Sequence, residues 1–218
     1  MNGNVTADVS STGKVEVTAQ RSGRRSNPND VRIDVVEHAE GVTLCAVYPS
    51  NEGANECKPG SAGRMSTRDN DVQVEFQVRV PAGVRFSGSN VNGKITATLP
   101  QSEVEARTVN GAIRLTGSQV TAAKTVNGAL QLRMEKPFTK ALDVETVNGA
   151  IVLEVPSQTK AELDARTVNG SIESDLALTV RGNLNRRHVT GTLGGPGGPR
   201  LGAKTVNGSI RIRTRTAP

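Results

Sequence analysis
The tripeptide Val-Asn-Gly recurs along the second half of this chain. It stands at Val91-Asn92-Gly93, Val109-Asn110-Gly111, Val126-Asn127-Gly128, Val147-Asn148-Gly149, Val168-Asn169-Gly170 and Val206-Asn207-Gly208. Val189-Thr190-Gly191 reads as a degenerate copy in the one gap, giving Val-to-Val spacings of 18, 17, 21, 21, 21 and 17. Thr precedes the Val in five copies: Thr108, Thr125, Thr146, Thr167 and Thr205. Such a period marks a repeat architecture, in which each unit buries its apolar face against its neighbours.

Each copy is followed by alternation. Ile95, Ile113, Leu130, Ile151, Ile172, Leu193 and Ile210 occupy the fourth position after the Val. Mostly apolar residues stand two further on, with mostly polar ones between, which is a strand with one buried face. A second strand precedes the motif, as in Val104–Val109. Its phase slips, because Ala106 and Val109 are three apart, so a bulge is expected to turn both inward.

Asn-Gly also signals a type I′ hairpin, which would give an antiparallel meander. Identical columns favour the other architecture. The chain is read as all-β, a single-stranded β-solenoid (β-helix) of about seven short coils with an N-terminal β cap. The cap takes residues 1–80 and the repeat 81–218. Six steps at about 4.8 Å make the repeat roughly 29 Å long. Asn92, Gly93, Asn110, Gly111, Asn127, Gly128, Asn148, Gly149, Asn169, Gly170, Asn207 and Gly208 are the corner residues. The expectation is that the corner needs positive φ, which Gly accepts and Asn tolerates, and that the amides stack as a ladder. An outward Thr/Asn array would suit ice binding, but the adjoining Arg107, Lys124, Glu145, Arg166, Arg187 and Lys204 are too charged for that.

Composition supports a thin tube. The chain of 218 residues has three Phe, one Tyr and no Trp, with 23 Gly. Small aliphatic columns fill a narrow core without rings. The missing aromatics also remove the usual base- and sugar-stacking groups. With 27 basic and 21 acidic residues the net charge is +6. That permits an anionic partner, while the missing rings weigh against nucleic acid.

Strands are expected at Val5–Val9, Val15–Thr18, Val31–Glu37, Val42–Val47 and Val72–Val80, the middle pair as a hairpin. A polar loop over 49–70 carries Cys57, and a disulfide to Cys45 would tether it; two unrelated thiols is the other reading. Cys45, Cys57, His38 and His188 show no zinc-ligand spacing. At the C-terminus, Ser209–Thr216 reads as an exposed edge strand before Pro218, where alternating Arg211, Arg213 and Arg215 deter edge pairing or form an anionic docking strip. Residues 194–199 are a Gly/Pro loop without the Gly-Lys-Ser/Thr of a phosphate loop.

Several of these segments together resemble a known family. They are Val-Thr-Leu-Cys-Ala-Val-Tyr-Pro (42–49), Cys57-Lys58-Pro59-Gly60, Val-Arg-Val-Pro-Ala-Gly-Val (78–84), the serial Thr-Val-Asn-Gly, and Ile-Glu-Ser-Asp-Leu (172–176). The chain is similar to the bacterial β-strand-repeat domain of unknown function whose members are labelled as candidate adhesins. The resemblance implies an exported envelope protein with a β-solenoid fold and no catalytic residues to carry over. The expectation is therefore a structural or adhesin-like interaction module, periplasmic or on the cell surface. It would be exported with a leader absent from this chain, since Met1-Asn2-Gly3 reads like a cut made after one. It would act as a monomer without cofactor or metal, with an unknown envelope or surface partner and no transmembrane segment. Two alternatives are kept. One is a binder of anionic envelope polymer or lipid. The other is a polysaccharide-active β-helix enzyme, for which Glu173, Asp175 and a neighbouring Glu154 are the candidate acids.

Overall fold
A computed structural model describes residues 2–50, 55–60, 67, 69–181 and 186–215. Thr216, the end of the expected edge strand, and Pro218 after it lie outside them, as does much of the 49–70 loop. The chain is all-β and β-solenoid-like. In chain order the strands are β1 (Val5–Val9), β2 (Glu16–Ser22), β3 (Arg32–His38), β4 (Gly41–Val47), β5 (Gln73–Val80), β6 (Phe86–Ser89), β7 (Ile95–Arg107), β8 (Ile113–Lys124) and β9 (Leu130–Met134). They continue as β10 (Leu142–Glu145), β11 (Ile151–Val155), β12 (Ala161–Arg166), β13 (Ile172–Ser174), β14 (Leu178–Val180), β15 (His188–Leu193), β16 (Arg200–Lys204) and β17 (Ile210–Thr214).

Two ladders run side by side, joined through the long β7 and β8. The first is β1-β7-β8-β9-β11-β17-β13, parallel throughout. The second is β6-β7-β8-β10-β16-β12, also parallel. It closes with β15 and β14 laid on antiparallel. Parallel neighbours exclude the hairpin meander, which would alternate direction. Like residues stack: Ile95, Ile113, Leu130, Ile151, Ile210 and Ile172 are register partners in turn. The second ladder brings Ala106, Ala123, Val144, Ala203 and Ala165 into line. Both sets belong to one hydrophobic cluster, against which the partly buried Ile172 packs. Large aliphatics on one wall and small ones on the other fill a narrow core.

The stacking order departs from the sequence order. β16 lies between β10 and β12, and β17 between β11 and β13. The last coil is thus threaded into a gap left between two earlier coils. The C-terminal strand is interior, and the expectation of an arginine-guarded edge is corrected. The outer strand of the first ladder is β13, of three residues. A short edge offers little template for pairing.

Two further expectations change. Val189-Thr190-Gly191 is no corner; it sits within β15, antiparallel to β12, with Gly191 opposite Leu163. The corner column instead begins at Asn2, bridged to Asn92. The Asn-Gly start followed by Val5, Ala7 and Val9 was its signal, hidden by the long separation from the other copies.

Over the N-terminal segment, β5 pairs with β1 and, antiparallel, with β2. β3 and β4 form a separate hairpin. Val31, Ala46, Tyr48, Val72 and Val74 make a second core beneath it.

Candidate functional site
The corner is the most regular surface of the molecule, and its four residue types do different work. Inward alternation continues through the Thr: Val104, Ala106 and Thr108 are all buried. No phase slip brings Val109 inside, contrary to the expected bulge. The irregularities between β7 and β8 lie upstream, at Leu99/Glu103 and Val104/Glu105. Thr takes the last inward place because the corner carries a carbonyl that needs a donor. Thr125 Oγ1 donates to the Gly111 carbonyl at 3.1 Å, Thr146 to Gly128 at 3.0 Å, Thr205 to Gly149 at 3.0 Å and Thr167 to Gly208 at 2.8 Å. The Thr column is therefore structural and does not face solvent.

The Val points outward. Val91, Val109, Val126, Val147, Val206 and Val168 lie in that spatial order, each between 37% and 54% exposed. Beside them run the Asn amides. Asn92 Nδ2 donates to Asn2 Oδ1 at 2.7 Å, and Asn110, Asn127 and Asn148 each donate to the preceding amide at 2.8 Å. Asn207 donates to Asn148 at 2.7 Å and Asn169 to Asn207 at 2.8 Å. Each amide keeps a second N–H and a second lone pair for solvent or a ligand.

The Gly is required for contact. A Cβ on Gly111, Gly128, Gly149 or Gly170 would stand 2.0 Å from the carbonyl oxygen of the next corner Gly. Among the motif glycines, only Gly93 and Gly208 have φ in the left-handed range, at 147° and 159°. No corner Asn has positive φ. The positive-φ explanation is replaced by close approach of stacked backbones, which only Gly permits.

The remaining candidates are dispersed. Arg211 Nε reaches Glu173 Oε2 at 3.2 Å, and Arg215 pairs with Glu135, while Arg213 is exposed without an ion pair among the described residues. Glu173 also accepts from Ser171 Oγ at 2.9 Å; that hydrogen bond, then Arg211, holds its carboxyl below the ordinary range. The inserted β17 places Arg211 and Arg213 between Glu173 and Glu154, so the expected acid pair does not form. His188 and Asp164 meet at 3.3 Å, away from His38. Among the described residues no group of three or more His, Cys, Asp or Glu is placed to hold a metal ion.

Cys45 and Cys57 are joined by a disulfide, tying residue 57 to β4. Tyr48 accepts a hydrogen bond from the Asn2 N–H at 3.2 Å and donates to the Val72 carbonyl at 3.0 Å. Burial raises its pKa, against the opposing Asn2 hydrogen bond. The second core thus anchors the first rung of the amide ladder.

The family model described as Toastrack DUF4097 matches residues 3–213, almost the whole chain. The chain belongs to the Toastrack DUF4097 family. It is similar in structure to a candidate cell adhesion protein from Clostridium sporogenes. That likeness has a TM-score of 0.50 and 12% identity, and covers 98% of this chain and 90% of the other. A candidate adhesin from Bacteroides fragilis aligns over 99% and 89%, with TM-score 0.41 and 12% identity. No curated protein matches. At such identity the first likeness speaks for the fold. No helix among the described residues of this Toastrack chain is long and apolar enough to cross a membrane.

Basic residues border the Toastrack corner. Two positions before the Val stand Ser89, Arg107, Lys124, Glu145, Lys204 and Arg166, in spatial order. Lys124 pairs with Asp143 and Glu145, and Arg166 with Asp164. Arg107 and Lys204 form no ion pair among the described residues.

Proposed function
We propose that this chain is a non-enzymatic, adhesin-like interaction module of the cell envelope. In this reading residues 81–218 form a single-stranded β-solenoid of about seven coils, and residues 1–80 cap it. Asn2–Val9 supply the cap's own rung. The observation that carries the proposal is the ridge of outward Val and Asn, repeated without a break along a hydrogen-bonded stack. A contiguous exposed apolar patch with polar rims marks an interaction site. The disulfide supports an oxidising, extracytoplasmic location, and the candidate adhesins of like fold agree with a surface partner. The monomer presents this ridge, so a partner need not meet two copies. The Arg211, Arg213 and Arg215 strip is the weaker docking surface, because Glu173 and Glu135 already engage two of its members.

The test uses beads carrying the oxidised full chain. Saturable retention of isolated cell envelopes is expected, with retention lost in the variant Val109→Asp/Val126→Asp/Val147→Asp. Retention unaffected by that variant would overturn the role of the ridge. Turnover of acidic glycans, abolished by Glu173→Gln, would overturn the non-enzymatic reading.

A further inference from the structure
We infer that the Val–Asn ridge lies on an anionic lipid surface, which names the partner of the module proposed above and rests on that reading. Three observations converge. The ridge carries a continuous apolar line: six outward Val spaced at about 4.8 Å extend roughly 24 Å. It is convex, the outer corner between two ladders, with Val and Asn both exposed. A convex line contact fits a deformable plane and gives a polymer no groove to occupy. Its flanks are cationic. Arg107, Lys124, Lys204 and Arg166 stand on one side, and Lys94, Arg114 and Arg211 on the other. Glu105, Asp143, Glu145, Asp164 and Glu173 stand beside them, so seven minus five leaves +2 in the band. Lys94, Arg107, Arg114 and Lys204 take part in no ion pair among the described residues, which leaves them available to headgroups.

The division of labour follows interfacial physics. Branched aliphatic side chains enter the headgroup boundary. Long basic side chains reach back to lipid phosphates, and the Asn amides sit level with polar groups. Each basic group near an anionic surface contributes about fivefold in binding.

Sedimentation with vesicles of phosphatidylcholine and phosphatidylglycerol tests this, using the oxidised full chain. Binding is expected to the mixed vesicles, to fall steeply with added salt, and to be at least tenfold weaker on phosphatidylcholine alone. Arg107→Gln/Lys204→Gln is expected to weaken it by about 25-fold. Val109→Ser/Val126→Ser/Val147→Ser is expected to abolish it. Lys14→Gln/Arg79→Gln, which removes the same charge away from the ridge, is expected to leave binding within about fivefold. Circular dichroism confirms that each variant is folded. Equal binding to neutral vesicles, or indifference to both ridge variants, overturns the inference. So does equal competition by soluble polyglutamate, which would make the partner a free polyanion. Vesicle binding that is absent while the protein-coated beads still retain cell envelopes overturns the lipid assignment and leaves the interaction module standing.

Discussion
Thr146 is 2% exposed and its neighbour Val147 is 37% exposed. Polarity alone would place them the other way round. The Thr hydroxyl goes inward because the Gly128 carbonyl, turned out of both ladders at the corner, needs a donor that water does not supply. Thr146→Val keeps the shape and removes the donor, so it is expected to cost about 1–3 kcal/mol. Val147→Ser, at an exposed site, is expected to stay within about 0.5 kcal/mol. Urea denaturation of both variants checks the order; a larger loss at Val147 would reverse the assignment. Gly128→Ala brings a Cβ to 2.0 Å from the Gly111 oxygen. Separating two hydrogen-bonded rungs is expected to cost about 3 kcal/mol or more. The repeat and its amide ladder were legible because identical residues stack only in parallel coils. The inward Thr was not, because a period-2 reading sorts residues by polarity and cannot see a carbonyl without a partner.

At the scale of elements, the coil formed by β16 and β17 completes the stack from within. Residues 194–199 carry it across the start of β12. A Cβ on Gly194 would meet the Thr159 oxygen at 2.1 Å, and one on Gly198 the Lys160 oxygen at 2.3 Å. The Gly/Pro run is therefore a close crossing over another backbone. The inserted coil accepts hydrogen bonds from Thr146, Gly149 and Ile151 at Lys204, Asn207 and Ser209. A chain ending at Pro199 is expected to lose hydrogen-exchange protection at those three amides. Gly93 and Ile95, bonded to Asn110 and Ala112, are expected to stay protected. A peptide of residues 200–215 added in trans is expected to restore the lost protection. Retained protection at Gly149 and Ile151 without the peptide would contradict the threading. Sequence order hid this arrangement, since five corners carry the same Thr-Val-Asn-Gly tetrapeptide and any of these coils fits beside any other. One clue was present: Ser174 occupies the inward place held by Ile212 in the adjoining coil, as suits a final rung with no neighbour beyond it.

For the whole molecule, two cores meet at Asn2, and they respond to different perturbations. The cap core holds Tyr48, the chain's sole Tyr, and there is no Trp. Tyrosine fluorescence therefore reports the cap alone. Replacing the Cys45–Cys57 disulfide by Cys45→Ala/Cys57→Ala is expected to cost the cap about 3 kcal/mol. The far-ultraviolet transition of the stack is expected to move much less, because its cluster contains no residue of the tethered hairpin. Asp71 gives the cap a second, pH-dependent staple. Its carboxylate accepts the Ser26 N–H at 2.9 Å, the Arg25 N–H at 3.0 Å and the Arg24 N–H at 3.3 Å. These bonds, led by Ser26, lower its pKa to about 2. An unfolded Asp titrates near 3.9. Folding thus favours the charged form, and the stabilisation is fully present above about pH 4. It declines as pH falls from there through about 2, where the folded carboxylate itself takes up a proton. Tyr48 fluorescence is expected to shift toward the unfolded value across that window. Asp34, Asp164 and Glu173 also have lowered pKa values, so Asp71→Asn isolates the staple. The variant is expected to be less stable at pH 6 and to lose less stability than the parent between pH 4 and pH 2. Equal slopes in the two proteins would assign the acid sensitivity of the cap to another carboxylate.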